Sequence, residues 1–209
     1  MPLTVVDHPL VATRVARLRA TATASAEFRR VTAELSTFLA YEATRDLATV
    51  ETTVRTPLGI DAPARALPER HPLVVPILRA GLGLLDGVLA AIPSAEVGLI
   101  GLARDEDTHQ PVPYCVRLPA GSEALDAVVL DPMLATGGSM VWTLQHLRER
   151  GAGRLTAICL LAAPEGVARV EAEVPDVRIV TAALDDGLND TAFIVPGLGD
   201  AGDRLYGTV

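Results

Sequence analysis

The sequence contains no lysine, so all 18 of its basic residues are arginine. This absence excludes any mechanism that relies on a lysine Schiff base or a lysine general base. Only two cysteines are present, Cys115 and Cys159, and they form no Cys-x-x-Cys pair. We therefore expect reduced thiols rather than a disulfide or a metal site. The four histidines also lack the spacing of metal ligands, which argues against a metal site built by the protein alone.

The chain also lacks long apolar runs and an excess of positive charge. Charged residues, proline or glycine interrupt every hydrophobic stretch well before the roughly 18 residues that a membrane span requires. The first residues show neither the basic start nor the apolar run of a signal peptide, so we expect a cytoplasmic protein that does not bind membranes. A net charge of −8 argues against nucleic-acid binding, although two or three arginines can still make one cleft attractive to a small anion.

The sequence does contain enough apolar residues for a packed core. Its 209 residues, 49% of them hydrophobic, predict a single domain over residues 1–209. Apolar residues three and four positions apart predict a helix from Ser25 to about Leu47, with Ser25 as its N-cap. Continuous apolar segments predict buried strands at residues 73–78, 97–102, 127–130, 155–161 and 177–181. Helices are predicted between these strands. The first follows Gly83 and runs through about residue 91, the second spans 140–150 and is stopped by Gly151, and the third spans 165–173.

Uniformly apolar strands that alternate with helices are typical of a parallel sheet covered on both faces. We therefore predict an α/β fold with a doubly wound, mostly parallel sheet flanked by helices. Right-handed crossovers place the loops after the strands at one sheet edge, which is where such sheets bind ligands.

Residues 50–71 differ from this pattern. The segment 52–54 is strand-like, and Pro57, Gly59, Pro63 and Pro68 then interrupt regular structure. We interpret the segment as a hairpin arm that projects from the domain and serves assembly rather than chemistry.

The strongest functional motif follows the strand at 127–130. It reads Asp131-Pro132-Met133-Leu134-Ala135-Thr136-Gly137-Gly138-Ser139 and leads directly into a helix. Small residues let the backbone approach an anion closely, and the free N–H groups of a helix start favour a phosphate. Asp131 lies only a few residues before this turn, and its carboxylate would repel a phosphate unless something separated them. Ribose hydroxyls or a bound metal ion could occupy the position between the two. The alternative is an ordinary strand-to-helix turn with a capping serine.

Two arginines also follow predicted strands. Arg79 comes directly after residues 73–78 and precedes Ala80-Gly81-Leu82-Gly83, an arrangement that suits a pyrophosphate because arginine binds phosphate oxygens in bidentate fashion. Its alternative is a solvated arginine at a helix start, where it would oppose the helix dipole. Arg104 begins a polar loop after the next strand and is a candidate second clamp.

The C-terminal region is acidic and rich in glycine. Its acids are Asp185, Asp186, Asp190, Asp200 and Asp203, and we interpret most of them as solvated or capping residues, with the run from Ile194 to Asp203 as the exception. The run from Ile194 to Asp203 exposes backbone donors and acceptors that could read a planar heterocycle, although a plain loop has the same composition.

Taken together, these motifs resemble the uracil phosphoribosyltransferase family of the type I phosphoribosyltransferases. The resemblance rests on residues 76–83, 131–139 and 196–203, supported by 41–44, 111–114 and 162–166, and it runs from about His8 to the C-terminus. The pair Asp131-Pro132 is discriminating, because most type I relatives carry two adjacent acids there and the uracil branch keeps one. The segment 50–71 is shorter than in some relatives, which affects details of the arm and not the site.

The resemblance implies a role for each motif. Arg79, Arg104 and residues 131–139 would bind phosphoribosyl diphosphate (PRPP), with Asp200 also near its ribose diphosphate. Ile194 and the backbone of Gly199, Asp200 and Ala201 would bind uracil, within a base-binding hood at about residues 185–209. The catalytic assignments are Arg79, Arg104 and Asp131.

The resemblance further implies transfer of the phosphoribosyl group to uracil, giving UMP and diphosphate, with Mg²⁺ held mainly by PRPP and water. It also implies a homo-oligomer, and GTP activates some family members. Three alternatives remain open at this point. They are a nucleotide-sensing regulator on the same fold, a phosphoribosyltransferase for a purine or orotate, and, least favoured, a dinucleotide-binding domain, since no Gly-x-Gly-x-x-Gly follows a first strand.

Overall fold

The computed structural model of the chain describes residues 3–104 and 111–208, the side chain of Arg104 excepted. The helices are α1 (Pro9–Arg19), α2 (Ser25–Ala43), α3 (Leu82–Ala91), α4 (Gly138–Glu149), α5 (Pro164–Glu173) and α6 (Ala201–Tyr206). The strands before the glycine-rich motif are β1 (Leu3–Val5), β2 (Val50–Arg55), β3 (Asp61–Ala66), β4 (Leu73–Leu78), β5 (Glu96–Val97), β6 (Leu99–Arg104), β7 (Pro111–Arg117) and β8 (Ala127–Leu130). The later strands are β9 (Met133–Leu134), β10 (Leu155–Ala162), β11 (Arg178–Leu184), β12 (Gly187–Leu188) and β13 (Ile194–Val195).

One large sheet forms the centre of the molecule, in the order β1-β11-β10-β8-β4-β6-β7. Two short strands also belong to this sheet. β5 pairs with the first residues of β4, before β6 does, and β9 pairs with the last residues of β10, after β8. Every pairing in this sheet is parallel except that of β6 with the edge strand β7. The predicted mostly parallel sheet is thereby confirmed.

Helices cover both faces of the sheet, and each face has its own core. Phe28, Leu35 and Leu84 belong to the core under α1, α2, α3 and α6, and all three are completely buried. Leu144 and Val170 belong to the opposite core, under α4 and α5. The strands between are apolar along almost their whole length because both of their faces are buried, which confirms the doubly wound architecture.

The chain changes direction in the middle of the sheet. β4 and β8 are neighbours, but β6 follows β4 toward one edge, whereas β10 follows β8 toward the other. Such a reversal leaves a crevice at the carboxyl ends of the two central strands, where open α/β sheets bind ligands. Arg79 and Asp131 are the first residues after these two strands.

Several element bounds differ from the sequence prediction. The helix expected to reach Leu47 ends at Ala43, where the Thr44 hydroxyl donates to the Ala40 carbonyl at 2.7 Å. Ser25 is not its N-cap, because Ala24 occupies that position and supplies no side-chain bond. Helix α4 starts at Gly138 rather than at residue 140, and Gly151 follows its end at φ +88°, as expected for a helix stop.

The arm is a two-stranded antiparallel ribbon of β2 and β3, so the predicted hairpin is confirmed. Pro63 does not interrupt it and lies inside β3, opposite Thr53. A two-stranded ribbon consists of edge strands only, and an edge position tolerates a residue without an N–H. No helix in the described part of the chain is long and apolar enough to cross a membrane.

Candidate active site

A cleft of about 350 Å³ opens at the carboxyl ends of β4 and β8. Its lining comes from the turn after β4, the loop after β8 and the C-terminal region, and comprises Ala80, Asp131, Pro132, Met133, Ala135, Thr191, Ala192, Phe193, Ile194, Gly199, Asp200, Ala201 and Gly202. The cleft thus joins two segments that are far apart in sequence. These are the glycine loop (residues 135–139) with the acid before it, and the base segment (residues 194–202).

The turn after β4 presents Arg79 to solvent beside the cleft. The Leu78–Arg79 peptide bond is cis, and the Tyr206 hydroxyl of α6 donates to the Arg79 carbonyl at 3.1 Å. A Cβ on Gly81 would lie 2.4 Å from the Leu130 carbonyl oxygen, so only glycine lets this turn pack against β8. The guanidinium is therefore carried by a turn that is fixed directly to the strand before Asp131.

Asp131 lines the cleft without a cationic partner among the described residues. Burial raises the pKa of its carboxyl to about 7, and a hydrogen bond from the Met133 N–H opposes that rise. An acid with this pKa is only partly ionised near neutral pH, and a cation or hydroxyl donors would shift it toward the carboxylate. Such a perturbed acid in a cleft is typical of a functional site.

The glycine loop delivers the start of α4 to the same edge. Gly137 stands at the N-cap position with φ +79°, and no side chain caps the helix. Ser139 lies within the first turn and does not act as the cap, which argues against the interpretation of the motif as an ordinary capped turn. The N–H groups of this helix start are therefore open to an external anion.

Helix α5 supports the glycine loop from behind. A Cβ on Gly166 would lie 2.4 Å from the Ala135 carbonyl oxygen and 2.8 Å from that of Leu134. The backbone of α5 thus rests directly on the loop, and Gly166 is required for this contact. Sequence reasoning did not single out Gly166 for this role, because its contact partner lies about thirty positions away.

The base segment forms the opposite wall. Gly199 has φ +83°, and Asp200 caps α6 by accepting a hydrogen bond from the Asp203 N–H at 2.9 Å. Ile194 and Ala201 are almost completely buried. Asp200 therefore caps α6, and the backbone around it lines the cleft.

Asp185 contradicts the prediction that it is a solvated or capping acid, because its side chain is only 3% exposed. Its carboxylate accepts hydrogen bonds from Arg19 of α1 at 2.5 and 2.8 Å and from the Gly197 N–H at 2.9 Å. Arg19 also donates to the Gly197 carbonyl at 2.8 Å. The ionic hydrogen bonds raise the pKa of Arg19, and the pair ties the base segment to the first helix.

Arg204 makes a second tie between the same regions. Its guanidinium donates to the carbonyl oxygens of Leu198 at 2.9 Å and Ala20 at 2.7 Å, and also to that of Leu18. The same group lies 4.4 Å from the centroid of the Phe28 ring. Arg19, Asp185 and Arg204 support the base segment, and sequence reasoning could not identify them, since the Arg19–Asp185 pair spans 166 positions and Arg204 binds backbone carbonyls.

The structure thus brings most predicted site residues to one sheet edge. Asp131, Ile194, Gly199, Asp200 and Ala201 share the cleft lining. Arg79 adjoins it through Ala80, and residues 136–139 lead away from it into α4. The backbone of Arg104 ends β6, next to β4, whereas its side chain and the rest of its predicted polar loop lie outside the described residues.

Comparison with known proteins gives consistent matches. A family model described as uracil phosphoribosyltransferase matches residues 5–208. The chain is 53% identical to the uracil phosphoribosyltransferase of Beutenbergia cavernae over 212 positions that cover both proteins completely. A solved structure of a protein from Aquifex aeolicus is similar at a TM-score of 0.92 and 38% identity, covering 99% of this chain and 98% of that one. An adenine phosphoribosyl transferase from Trypanosoma brucei shares the fold alone, with a TM-score of 0.59 and 14% identity over 92% of this chain and 87% of that one.

Proposed function

The chain belongs to the uracil phosphoribosyltransferase family, and on that premise we propose that it transfers the 5-phosphoribosyl group of PRPP to N1 of uracil. The products are UMP and diphosphate. The observation that carries the proposal is that a half-buried acid and a glycine-rich backbone segment line one cleft, with an arginine turn and an open helix start adjoining it. Each of these features suits one part of the two substrates.

The glycine loop would bind the 5-phosphate of PRPP. Its uncapped helix start offers N–H donors and the positive end of the helix dipole, and the Thr136 and Ser139 hydroxyls are further donors. Residues 131–134 connect this site to the cleft, so a ribose placed over them would have its hydroxyls next to Asp131. A carboxylate that accepts hydrogen bonds from ribose hydroxyls would orient C1 toward the base.

The diphosphate would lie between the central strand ends. Arg79 follows β4, and the backbone of Arg104 ends the neighbouring β6, so the two arginines belong to adjacent strand ends. During transfer, the bond between C1 and the diphosphate oxygen breaks as N1 forms its bond to C1, and negative charge grows on the leaving group. Fixed cations stabilise that charge best where water is excluded, and this electrostatic contribution should dominate catalysis.

Mg²⁺ fits this site as an ion that enters with the diphosphate. The described residues contain no group of three or more His, Cys, Asp or Glu side chains placed to hold a metal ion, while Asp131 offers carboxylate oxygens in the cleft. Magnesium accepts such a minimal protein contribution, because it retains water and binds substrate phosphates. When bound, the ion would neutralise charge on the leaving diphosphate.

The base segment would hold uracil by its backbone. Gly199, Asp200 and Ala201 line the cleft opposite Asp131, and Ile194 supplies an apolar contact. Fixed N–H and C=O groups suit a heterocycle with a defined pattern of donors and acceptors.

The resemblance also implies homo-oligomers and, for some relatives, activation by GTP, and we retain both as proposals.

The decisive experiment is a diphosphate-release assay with PRPP and Mg²⁺ over uracil, cytosine, orotate and hypoxanthine. We expect release with uracil and formation of UMP. Release with orotate or hypoxanthine instead would assign the chain to another base. Binding of PRPP and uracil without any turnover would favour the nucleotide-sensing regulator.

A further inference from the structure

An arginine that sequence analysis did not single out, Arg169, lies beside the glycine loop. Arg169 lies in the middle of α5, the helix that packs against the loop through Gly166. If Gly138 carried a Cβ, that atom would lie 3.3 Å from Nη1 of Arg169 and 4.0 Å from Oγ1 of Thr136. A guanidinium nitrogen and a hydroxyl therefore face the space that the glycine leaves empty.

The direction of this space matters. In an α-helix the Cα–Cβ bond points back toward the N-terminus. Gly138 is the first residue of α4, so the empty space lies over the open end of the helix, where its N–H groups would bind an anion. A cation at that end opposes the positive end of the helix dipole. Its presence there is favourable only when negative charge is nearby.

Part of that negative charge comes from Glu173. Its Oε1 accepts a hydrogen bond from Nε of Arg169 at 2.7 Å, one helical turn along α5. Among the described residues, Glu173 alone accepts a hydrogen bond from this guanidinium. The bond uses Nε, whereas Nη1 is the nitrogen that faces Gly138. The bond to Glu173 thus leaves Nη1 free and directed at the helix start.

Resting on the proposed function above, we propose that Arg169 is an additional ligand of the 5-phosphate of PRPP, donating from Nη1 beside the Thr136 hydroxyl. It would bind the phosphate at the ground state and would take no part in the chemistry at C1. Arginine is suited to this position because its planar group can bind Glu173 and a phosphate oxygen at once. The side chain is 38% exposed, so solvent weakens the interaction.

The test compares Arg169→Ala with Arg169→Lys and with two controls. Arg30→Ala removes a similar exposed i,i+4 partner of a glutamate, on α2 and remote from the loop. Glu173→Gln removes the charge of the salt-bridge partner but keeps the guanidinium and an oxygen that can accept the hydrogen bond from its Nε. Steady-state kinetics would be measured with PRPP varied at saturating uracil, and the reverse.

We expect Arg169→Ala to raise KM for PRPP about three- to tenfold, with kcat and KM for uracil within about twofold. Arg169→Lys should lie between this variant and the parent, and both controls should stay within about twofold of the parent. Added salt should reduce the difference, because the site is partly exposed. Equal KM values for Arg169→Ala and Arg30→Ala would overturn the proposal, as would Glu173→Gln reproducing the Arg169→Ala effect, since a merely structural salt bridge predicts that equality.

A binding measurement separates this proposal from the proposed function. Ribose 5-phosphate carries the 5-phosphate but no diphosphate, and its affinity can be measured by calorimetry without uracil or turnover. We expect the same three- to tenfold weakening in Arg169→Ala. An unchanged affinity would overturn the role of Arg169 while leaving uracil transfer intact, whereas a parent that binds ribose 5-phosphate but turns over no base would overturn the proposed function alone.

Discussion

The two walls of the cleft each contain a buried or half-buried acid, and they treat it in opposite ways. Asp131, beside the glycine loop, has no described cationic partner, and burial raises its pKa to about 7. Asp185, behind the base segment, is bound by Arg19 and by the Gly197 N–H. Asp131 is therefore free to bind a ligand or ion, whereas Asp185 has all its partners within the protein.

This difference separates binding chemistry from support. An unpaired, partly buried acid costs folding free energy, which agrees with the proposal that a ligand or ion supplies the missing partner. A paired buried acid is strongly destabilising to remove, because its partner is then left uncompensated. Substitutions of the two acids should therefore change stability with opposite signs, and changes to the substrate or to Arg79 should act on activity alone.

The largest effect should come from the base offered to the base segment. Uracil has a carbonyl at C4 and an N–H at N3, whereas cytosine has an amino group and an unprotonated nitrogen there. The backbone of residues 199–201 has no freedom to exchange donors for acceptors, so cytosine would leave at least one of each unpaired. We expect kcat/KM for cytosine to be lower by about 10⁴, while 5-fluorouracil is accepted. Comparable turnover of cytosine would show that side chains, and not this backbone, read the base.

The next effect concerns the arginine turn. Arg79→Ala removes a cation from the proposed diphosphate site, and we expect a loss of about 2–4 kcal/mol in transition-state stabilisation, or two to three decades in kcat/KM for PRPP. The melting temperature should change little, because the Arg79 side chain is exposed. Kinetics within threefold of the parent would remove Arg79 from the site.

The contrast between the walls also explains how much the sequence could predict. Strands β4 and β8 and the glycine loop were predicted because apolar runs and turn residues act locally. Helix α6 was missed, since the glycines around Asp200 resemble a loop until the Asp200 side chain is seen to cap it.

The supports of the base segment could not be predicted from local patterns. Arg19 contacts Asp185 across 166 positions, and neither residue belongs to a motif. Arg204 binds carbonyl oxygens, which every residue possesses, so its partners leave no trace in the sequence. Strand β7 was not predicted either, because its two prolines, Pro111 and Pro113, argue against a strand except at a sheet edge, which is where it lies.

A third prediction tests the supporting wall. Asp185→Asn leaves the Arg19 guanidinium without its counter-charge, and we expect a loss of about 2–3 kcal/mol in the free energy of unfolding, measured by urea denaturation. KM for uracil should rise more than KM for PRPP, because the Gly197 N–H loses its charged acceptor. Glu27→Gln is the control, since it breaks a surface pair between α2 and Arg17, which lies on α1 like Arg19, and it should cost no more than about 0.5 kcal/mol. Equal losses in the two variants would show that the Arg19 pair is not a special support.

The smallest effect on stability, and the one of opposite sign, should come from Asp131→Asn. The amide is nearly isosteric but never ionises, so the variant avoids the cost of a buried charge. We expect it to be more stable than the parent by about 1–2 kcal/mol at pH 8 without ligand, although its turnover should be largely lost because the charge facing ribose and Mg²⁺ is gone.

The pH dependence of that difference identifies its cause. The pKa of Asp131 is raised from 3.8 to about 7, so between these values the folded parent binds a proton that the unfolded chain releases. The parent therefore loses stability as pH rises through this window, and its deficit relative to Asp131→Asn should grow from pH 5 to pH 7 and stay constant above. Thermal melts of both proteins at pH 5, 6, 7 and 8 measure this gap, with Asp86→Asn on the exposed side of α3 as a control that should show none. A stability gap that is flat, or that shrinks as pH rises, would mean that Asp131 is already paired in the unliganded protein. Both walls would then contain a paired acid.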